Sequence, residues 1–244
     1  MTTRTPPIYM YALPNLITLS AMGCGLTAVT IANDGGRFGT AAIFVMVAAF
    51  LDLLDGRIAR MTGTQSEFGV QLDSLSDAIS FGAAPALMMY TFALSEFGTI
   101  GLVVTATYTG CAIVRLARFN LKAGQKEGPG RFMMGLSVPA SAAILVALVG
   151  IDATTDVQLS GSAAPHALTA TMLCLGALMV STVPFRSYKD LSMNAATIAT
   201  FVVLLAVFIG VSVVWSPAIA LGGAMAIYVA QGFVEVGRRL LSKS

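Results

Sequence analysis

The sequence predicts an all-α, polytopic membrane protein: a helical bundle of about eight transmembrane helices with both termini cytoplasmic. Three observations carry that expectation. Hydrophobic residues make up 56% of the 244 positions and charged ones only 11%, and the mean hydropathy is +0.81, well above a soluble domain of ordinary composition. Apolar runs without sustained charge occupy 13–33, 39–56, 73–95, 98–119, 137–151, 166–184, 194–214 and 217–236, each near the ~20 residues that cross hydrocarbon. With the N-terminus inside, Arg4, Arg57, Arg60, Arg115, Arg118, Lys122, Lys126, Arg131, Arg186, Lys189, Arg238, Arg239 and Lys243 all fall on the cytoplasmic side and Arg37 stands alone outside, a strong positive-inside asymmetry.

The elements follow in order as one compact membrane domain over 1–244. Pro6, Pro7, Tyr9 and Tyr11 suit a short interfacial segment at headgroup level before the first span. The apolar stretch ahead of Cys24 resembles a lipoprotein-type leader, but Ala21-Met22-Gly23 is a poor cleavage context and Arg4 is the whole basic region, so the stretch reads as a retained span. Thr62-Gly63-Thr64 marks a turn between spans two and three, and Lys122 to Arg131 is a Gly-rich polar loop between spans four and five. Asp34, Glu96, Asp152, Asp156 and His166 fall on the far side, where the Ser- and Gly-rich stretch from Asp152 to Pro165 reads as a plain connection.

Several function classes drop out on composition. A net charge of +2 with no Lys/Arg tract excludes nucleic-acid binding. Cys24, Cys111 and Cys174 are odd in number and lie in apolar segments, which predicts buried small hydrophobes rather than disulfide or thiol chemistry.

The chemistry concentrates in four carboxylates. Asp52 and Asp55 close span two and Asp73 and Asp77 open span three, and acids at membrane depth need partners. At about 100° per residue, Asp52, Asp55 and Ala59 fall within about 60° of one another, with Gly56 and Arg60 alongside and Arg57 pointing away. Gly69, Asp73 and Asp77, spaced by four, form a matching face on the next helix, and the turn lets the two faces meet antiparallel. Like charges ~4 Å apart repel by about 4 kcal/mol at an effective dielectric of 20, so the cluster needs cations or protons. Hard oxygen donors in this number suit two Mg²⁺ or Mn²⁺ ions, and the absence of nearby His or Cys argues against zinc. Gly56 and Ala59 leave a slot for a phosphate and Arg60 adds positive charge. That is the layout of metal-assisted phosphoryl transfer.

The pattern Asp52-x2-Asp55-Gly56-x2-Ala59-Arg60-x8-Gly69-x3-Asp73-x3-Asp77 resembles the complete signature of the CDP-alcohol phosphatidyltransferase family. The resemblance implies a helical membrane enzyme in which Asp52, Asp55 and Asp73 hold metal, Asp77 completes the metal site and acts as general base, and Gly56, Ala59 and Arg60 contact the nucleotide diphosphate, with Gly69 beside them. Pro14-Asn15-Leu16-Ile17-Thr18 is similar to the family's first-helix segment, which puts Asn15 and Thr18 at the nucleotide. Phe81-Gly82-Ala83-Ala84-Pro85-Ala86, Arg115-Leu116-Ala117-Arg118-Phe119-Asn120 and Pro184-Phe185-Arg186-Ser187-Tyr188-Lys189-Asp190 resemble the serine-using branch, whose Gly-Leu-Pro-x-Pro-Ala stretch has Ser137 at its third position here.

By that likeness the phosphatidyl group of CDP-diacylglycerol passes to the hydroxyl of L-serine with release of CMP, at the cytoplasmic face of the inner membrane and in a homodimer. A serine carboxylate also needs a cation; Arg115 and Arg118 share a helix face at the depth of the aspartates, and with Arg131 are the candidates for the acceptor or a lipid phosphate. Two alternatives stand beside this reading. One is a sibling enzyme using glycerol 3-phosphate or an inositol phosphate; the other, a divalent-cation transporter built on the same acids.

Overall fold

The computed structural model describes residues 8–123, 132–155, 159, 164–186 and 207–241. Helices α1 (Ile8–Asn33) and α2 (Phe38–Thr62) form an antiparallel hairpin, followed by α3 (Glu67–Asp77), a π-helical segment (Ala78–Ala83), α4 (Ala84–Phe92) and a short 3-10 turn (Leu94–Phe97). Then come α5 (Thr99–Ala123), β1 (Phe132–Met134), α6 (Val138–Thr154), α7 (Ala164–Val180), β2 (Pro184–Arg186), a helix over 207–214 (α8) and α9 (Pro217–Leu241). Tyr9 and Tyr11 lie in the opening turns of α1.

The architecture is helical with one small addition, an antiparallel pairing of β1 with β2 in which Met133 faces Phe185. Four helices are long and apolar enough to cross a membrane: Ala12–Asn33, Phe38–Thr62, Thr99–Leu121 and Pro217–Val236. This is a helical membrane protein by length and composition, with four such helices among the described residues where eight apolar runs were expected. The expected spans at 137–151 and 166–184 become 17-residue helices, about 25 Å each at 1.5 Å per residue. The expected third span, 73–95, is divided: α3, the π segment and α4 run on from Glu67 to Phe92 with a change of helical pitch in the middle. Most of the seventh expected span, 194–214, lies outside the described residues.

Local sequence explains the turn that matters most for the site. Gly63 ends α2 in the left-handed region (φ +65°), with its N–H and that of Thr64 donated to the Ala59 carbonyl, a conformation glycine adopts without steric strain. Ser66 then caps α3, its hydroxyl oxygen accepting from the Gly69 N–H at 3.0 Å. The α2–α3 reversal is thus completed within a few residues.

α1 is the helix around which the site end is assembled, packing on α2, α3, the π segment and α4. Small residues let it approach closely: a Cβ on Gly25 would sit 2.8 Å from the Ser80 Cα, and the Ser80 hydroxyl donates to the Ala21 carbonyl at 3.3 Å. Further along, α5 packs against the π segment and α7, and α6 against α2 and α9. Tyr108 and Ser141 share a buried hydrogen bond of 2.8 Å between α5 and α6. At the opposite end His166 packs edge-on against Phe97, and Asp34 faces Arg37 at 3.9 Å on an exposed loop.

Gly25→Ala should therefore destabilise the protein by about 1–3 kcal/mol, because the contacted atom is backbone and the helices must part. Gly23→Ala, with nothing within 4 Å of the added methyl, should be neutral or slightly stabilising. Thermal unfolding of the two variants in detergent checks the contrast.

Candidate active site

The last turns of α2 carry Asp52 and Asp55, and α3 carries Asp73 and Asp77. Because the helices reverse direction at Gly63, the two acidic faces meet. One carboxylate oxygen from each of Asp52, Asp55 and Asp73 lies within 4.8 Å of the other two. Asp55 is buried, and Asp52 and Asp73 are half-buried. Asp77 interacts electrostatically with all three, and its Oδ1 is a buried acceptor without a hydrogen-bond partner.

An all-carboxylate donor set of this span fits a hard divalent cation. Bonds of about 2.1 Å to an octahedral ion place neighbouring oxygens about 3 Å apart and opposite ones about 4.2 Å apart; the three oxygens, all within 4.8 Å of one another, span a distance of that order. An unsatisfied buried oxygen on Asp77 fits the same need, since a buried acceptor without a donor is otherwise unfavourable.

The surrounding residues hold this arrangement. Thr18 Oγ1 lies 2.6 Å from Asp55 Oδ2 and 3.0 Å from the Pro14 carbonyl; its one proton goes to the shorter, charged acceptor. Ser76 on α3 donates to the Thr18 carbonyl at 3.0 Å, so one turn of α1 is fixed to both acidic helices. Asn15, a turn earlier, faces α3: a Cβ on Gly69 would lie 3.6 Å from Asn15 Oδ1. Arg60 is exposed and folds back over Gly56, its guanidinium nitrogens 3.6 and 3.9 Å from where a Cβ would stand. It also interacts electrostatically with Asp55. Ala59 is half-buried beside it, while Arg57 is exposed. The aspartates, Asn15, Thr18, Gly56, Ala59, Arg60 and Gly69 thus gather at one end of the α1–α2–α3 unit.

The arginines of α5 divide. Arg115 is buried, only 8% exposed; its Nε has no hydrogen-bond partner, its guanidinium stands 5.6 Å from the Phe119 ring centre, and its charge interacts with Asp77 and Tyr228. Arg118 instead donates from Nη1 to the Val180 carbonyl at 2.9 Å and from Nη2 to Met134 Sδ at 3.8 Å. It ties the end of α7 to β1, a fastening role. Asn120 and Ser74 join α5 to α3, the amide nitrogen donating to the hydroxyl at 2.8 Å. Arg131 lies outside the described residues.

Two features escape the sequence reading. The π segment begins at the residue after Asp77, and such wide turns concentrate at functional sites. Tyr228, on the last helix, packs against Phe185 of β2 with ring centroids 5.6 Å apart; a tyrosine in a mostly apolar span was the available signal.

The family model of the CDP-alcohol phosphatidyltransferases matches residues 11–234. A CDP-diacylglycerol–serine O-phosphatidyltransferase of Helicobacter pylori is 35% identical over 229 residues, covering 94% of this chain and 92% of the relative. One of Mycobacterium leprae is 31% identical over 209 residues, covering 82% and 67%. An archaetidylserine synthase of Methanothermobacter thermautotrophicus is 32% identical over 187 residues, covering 76% and 74%.

Thr18→Val removes the donor to Asp55 at nearly constant volume. Loss of a partner that orients a metal-binding carboxylate should weaken Mn²⁺ binding about tenfold or more, while Thr18→Ser restores it. Titration followed by electron paramagnetic resonance measures both.

Proposed function

The chain belongs to the CDP-alcohol phosphatidyltransferase family, and on that premise we propose that it transfers the phosphatidyl group of CDP-diacylglycerol to the hydroxyl of L-serine, giving phosphatidylserine and CMP. The observation that carries the reading is the carboxylate cluster of Asp52, Asp55 and Asp73 with the buried, unpartnered Oδ1 of Asp77 beside it. Phosphoryl transfer needs little covalent work from the protein; it needs charge neutralised and two oxygens placed in line.

Asp52, Asp55, Asp73 and Asp77 would hold two Mg²⁺ or Mn²⁺ ions. When bound, these supply positive charge to the diphosphate and to the phosphate leaving with CMP. Arg60, lying over the bare backbone at Gly56, adds a fixed cation beside the slot through which the diphosphate approaches. Asn15 and Thr18 present the polar side of α1 to the nucleotide. Asp77 takes the proton of the serine hydroxyl as its oxygen bonds to the lipid-side phosphorus and the bond from that phosphorus to the CMP oxygen breaks. Arg115, buried and next to Asp77, supplies the charge for the acceptor's carboxylate.

The membrane placement follows from charge. We place the aspartates at the cytoplasmic leaflet of the inner membrane, with both termini on that side and the remaining apolar runs completing eight spans, because the basic residues cluster there. Lipid tails then stay in the bilayer while CDP headgroup and serine meet at the water boundary. The family likeness further supports a homodimer. Gly56 and Ala59 beside the acids, and their position at one end of the helices, favour phosphoryl transfer over cation transport.

Detergent-purified protein given CDP-diacylglycerol and Mn²⁺ or Mg²⁺ should release CMP with serine, and EDTA should abolish it. Release only with glycerol 3-phosphate or an inositol phosphate would replace the acceptor; no release with any acceptor, together with metal uptake into sealed vesicles, would favour transport. Asp77→Asn should stay folded and retain CDP-lipid while kcat falls about 10²- to 10⁴-fold.

A further inference from the structure

No donor meets the buried Oδ1 of Asp77, whereas Asp55 receives the Thr18 hydroxyl at 2.6 Å. The direction of the Asp77 carboxylate therefore depends on the backbone that carries it. α3 is thinly packed: of its residues only Ser76 is buried, and Phe68 and Leu75 stay exposed on its outer face. α4, by contrast, is seated in the core through Ala84, Ala86, Met88 and Met89. Asp77 lies at the junction between the two, and the π segment begins at the next residue.

Two buried hydroxyls hold this junction to α1. Ser76, immediately before Asp77, donates to the Thr18 carbonyl at 3.0 Å, and Ser80, three residues after it, donates to the Ala21 carbonyl at 3.3 Å. On a regular α-helix, at about 100° per residue, Ser80 would stand about 40° round from Ser76. A turn closed from i to i+5 is wider and brings the two hydroxyls toward one line facing α1. Close backbone approach grips the segment from both sides. A Cβ on Gly25 of α1 would sit 2.8 Å from the Ser80 Cα, and a Cβ on Gly82 would sit 3.2 Å from the Ala112 Cβ of α5. The segment is thus left little freedom to rotate.

We propose that Ser80 is a positioning residue for Asp77: acting with Ser76, it fixes the rotation of the turn between them and so the direction in which the carboxylate faces Asp52, Asp55 and Asp73. This rests on the metal-binding and proton-accepting roles proposed above for Asp77. A regular α-turn in place of the π turn would change the rotational phase between the core-seated α4 and Asp77 and carry the carboxylate away from the other three. Misplacement of a reacting group by about 1 Å lowers a rate by on the order of a hundredfold, so the anchor matters to the chemistry and not only to the fold.

The test replaces Ser80 and follows Mn²⁺ binding by electron paramagnetic resonance alongside CMP release. Ser80→Ala should weaken Mn²⁺ binding about tenfold and lower kcat at saturating Mn²⁺ about ten- to a hundredfold, with KM for CDP-diacylglycerol and for serine within about twofold. Ser80→Cys, of nearly the same size but a weak donor, should fall between Ser80→Ala and wild type, and it carries the test if the alanine variant does not fold. Because Ser80 acts through Asp77, adding either change to Asp77→Asn should bring no further loss in Mn²⁺ affinity or kcat. Tyr108→Phe removes a buried hydrogen bond between α5 and α6; it should lower the unfolding temperature and leave Mn²⁺ binding and kcat as they are. Wild-type Mn²⁺ binding and kcat in the Ser80 variants, a fully multiplicative loss on top of Asp77→Asn, or an equal loss in Tyr108→Phe would overturn the positioning role and leave the synthase reading intact. Undiminished activity in Asp77→Asn would overturn the role of Asp77 itself, and this inference with it.

Discussion

Four carboxylates held together at one end of a membrane bundle repel one another, and much of the local structure serves to keep them there. Separating them would be simple for a flexible chain. It is prevented by the tight reversal at Gly63 and by the Ser66 cap, which fix α3 against α2, and by α1, which bonds to both acidic helices through Thr18: its hydroxyl to Asp55 and its carbonyl to the Ser76 hydroxyl. The stored repulsion is what makes the cluster a candidate receptor for cations, since positive charge relieves several unfavourable pairs at once.

The same constraint shapes the packing around it. α1 can reach both acidic helices only by lying close to the π segment, and the missing side chain at Gly25 allows that approach to Ser80. On the other side, α5 carries the buried Arg115, whose charge acts on Asp77. The buried guanidinium offsets part of the negative charge without entering the ring of Asp52, Asp55 and Asp73. The β1–β2 ribbon and Arg118 brace this end from outside, the ribbon by seating Phe185 against α9 and Arg118 by holding Val180 and Met134 together.

The acidic site was legible in the sequence because helical spacing alone places Asp52 with Asp55 and Asp73 with Asp77, and a glycine turn between two such faces leaves one way for them to meet. Gly69 was legible on the same ground. The division between Arg115 and Arg118 was not. Three residues apart on one helix, they look equivalent until α7 and β1 are placed, and those contacts span long stretches of chain. The π segment was hidden because Ala78–Ala83 is apolar like any span, and a change of helical pitch leaves no mark on hydropathy. Hydropathy likewise found apolar runs but not the lengths of the helices they form, so α6 and α7 have 17 residues each where α2 and α5 have 25. Tyr228 was invisible because the ring it packs against, Phe185, lies in a ribbon formed by two distant strands.

The most direct measurement locates the cation itself. Crystals grown with Mn²⁺ and CDP-diacylglycerol, recorded at the manganese absorption edge, should show anomalous peaks among the carboxylates of Asp52, Asp55, Asp73 and Asp77, and Asp55→Asn should weaken or remove them. Manganese bound elsewhere, or none at these four residues in protein whose CMP release still depends on Mn²⁺, would contradict the assignment of the carboxylate cluster as the catalytic centre.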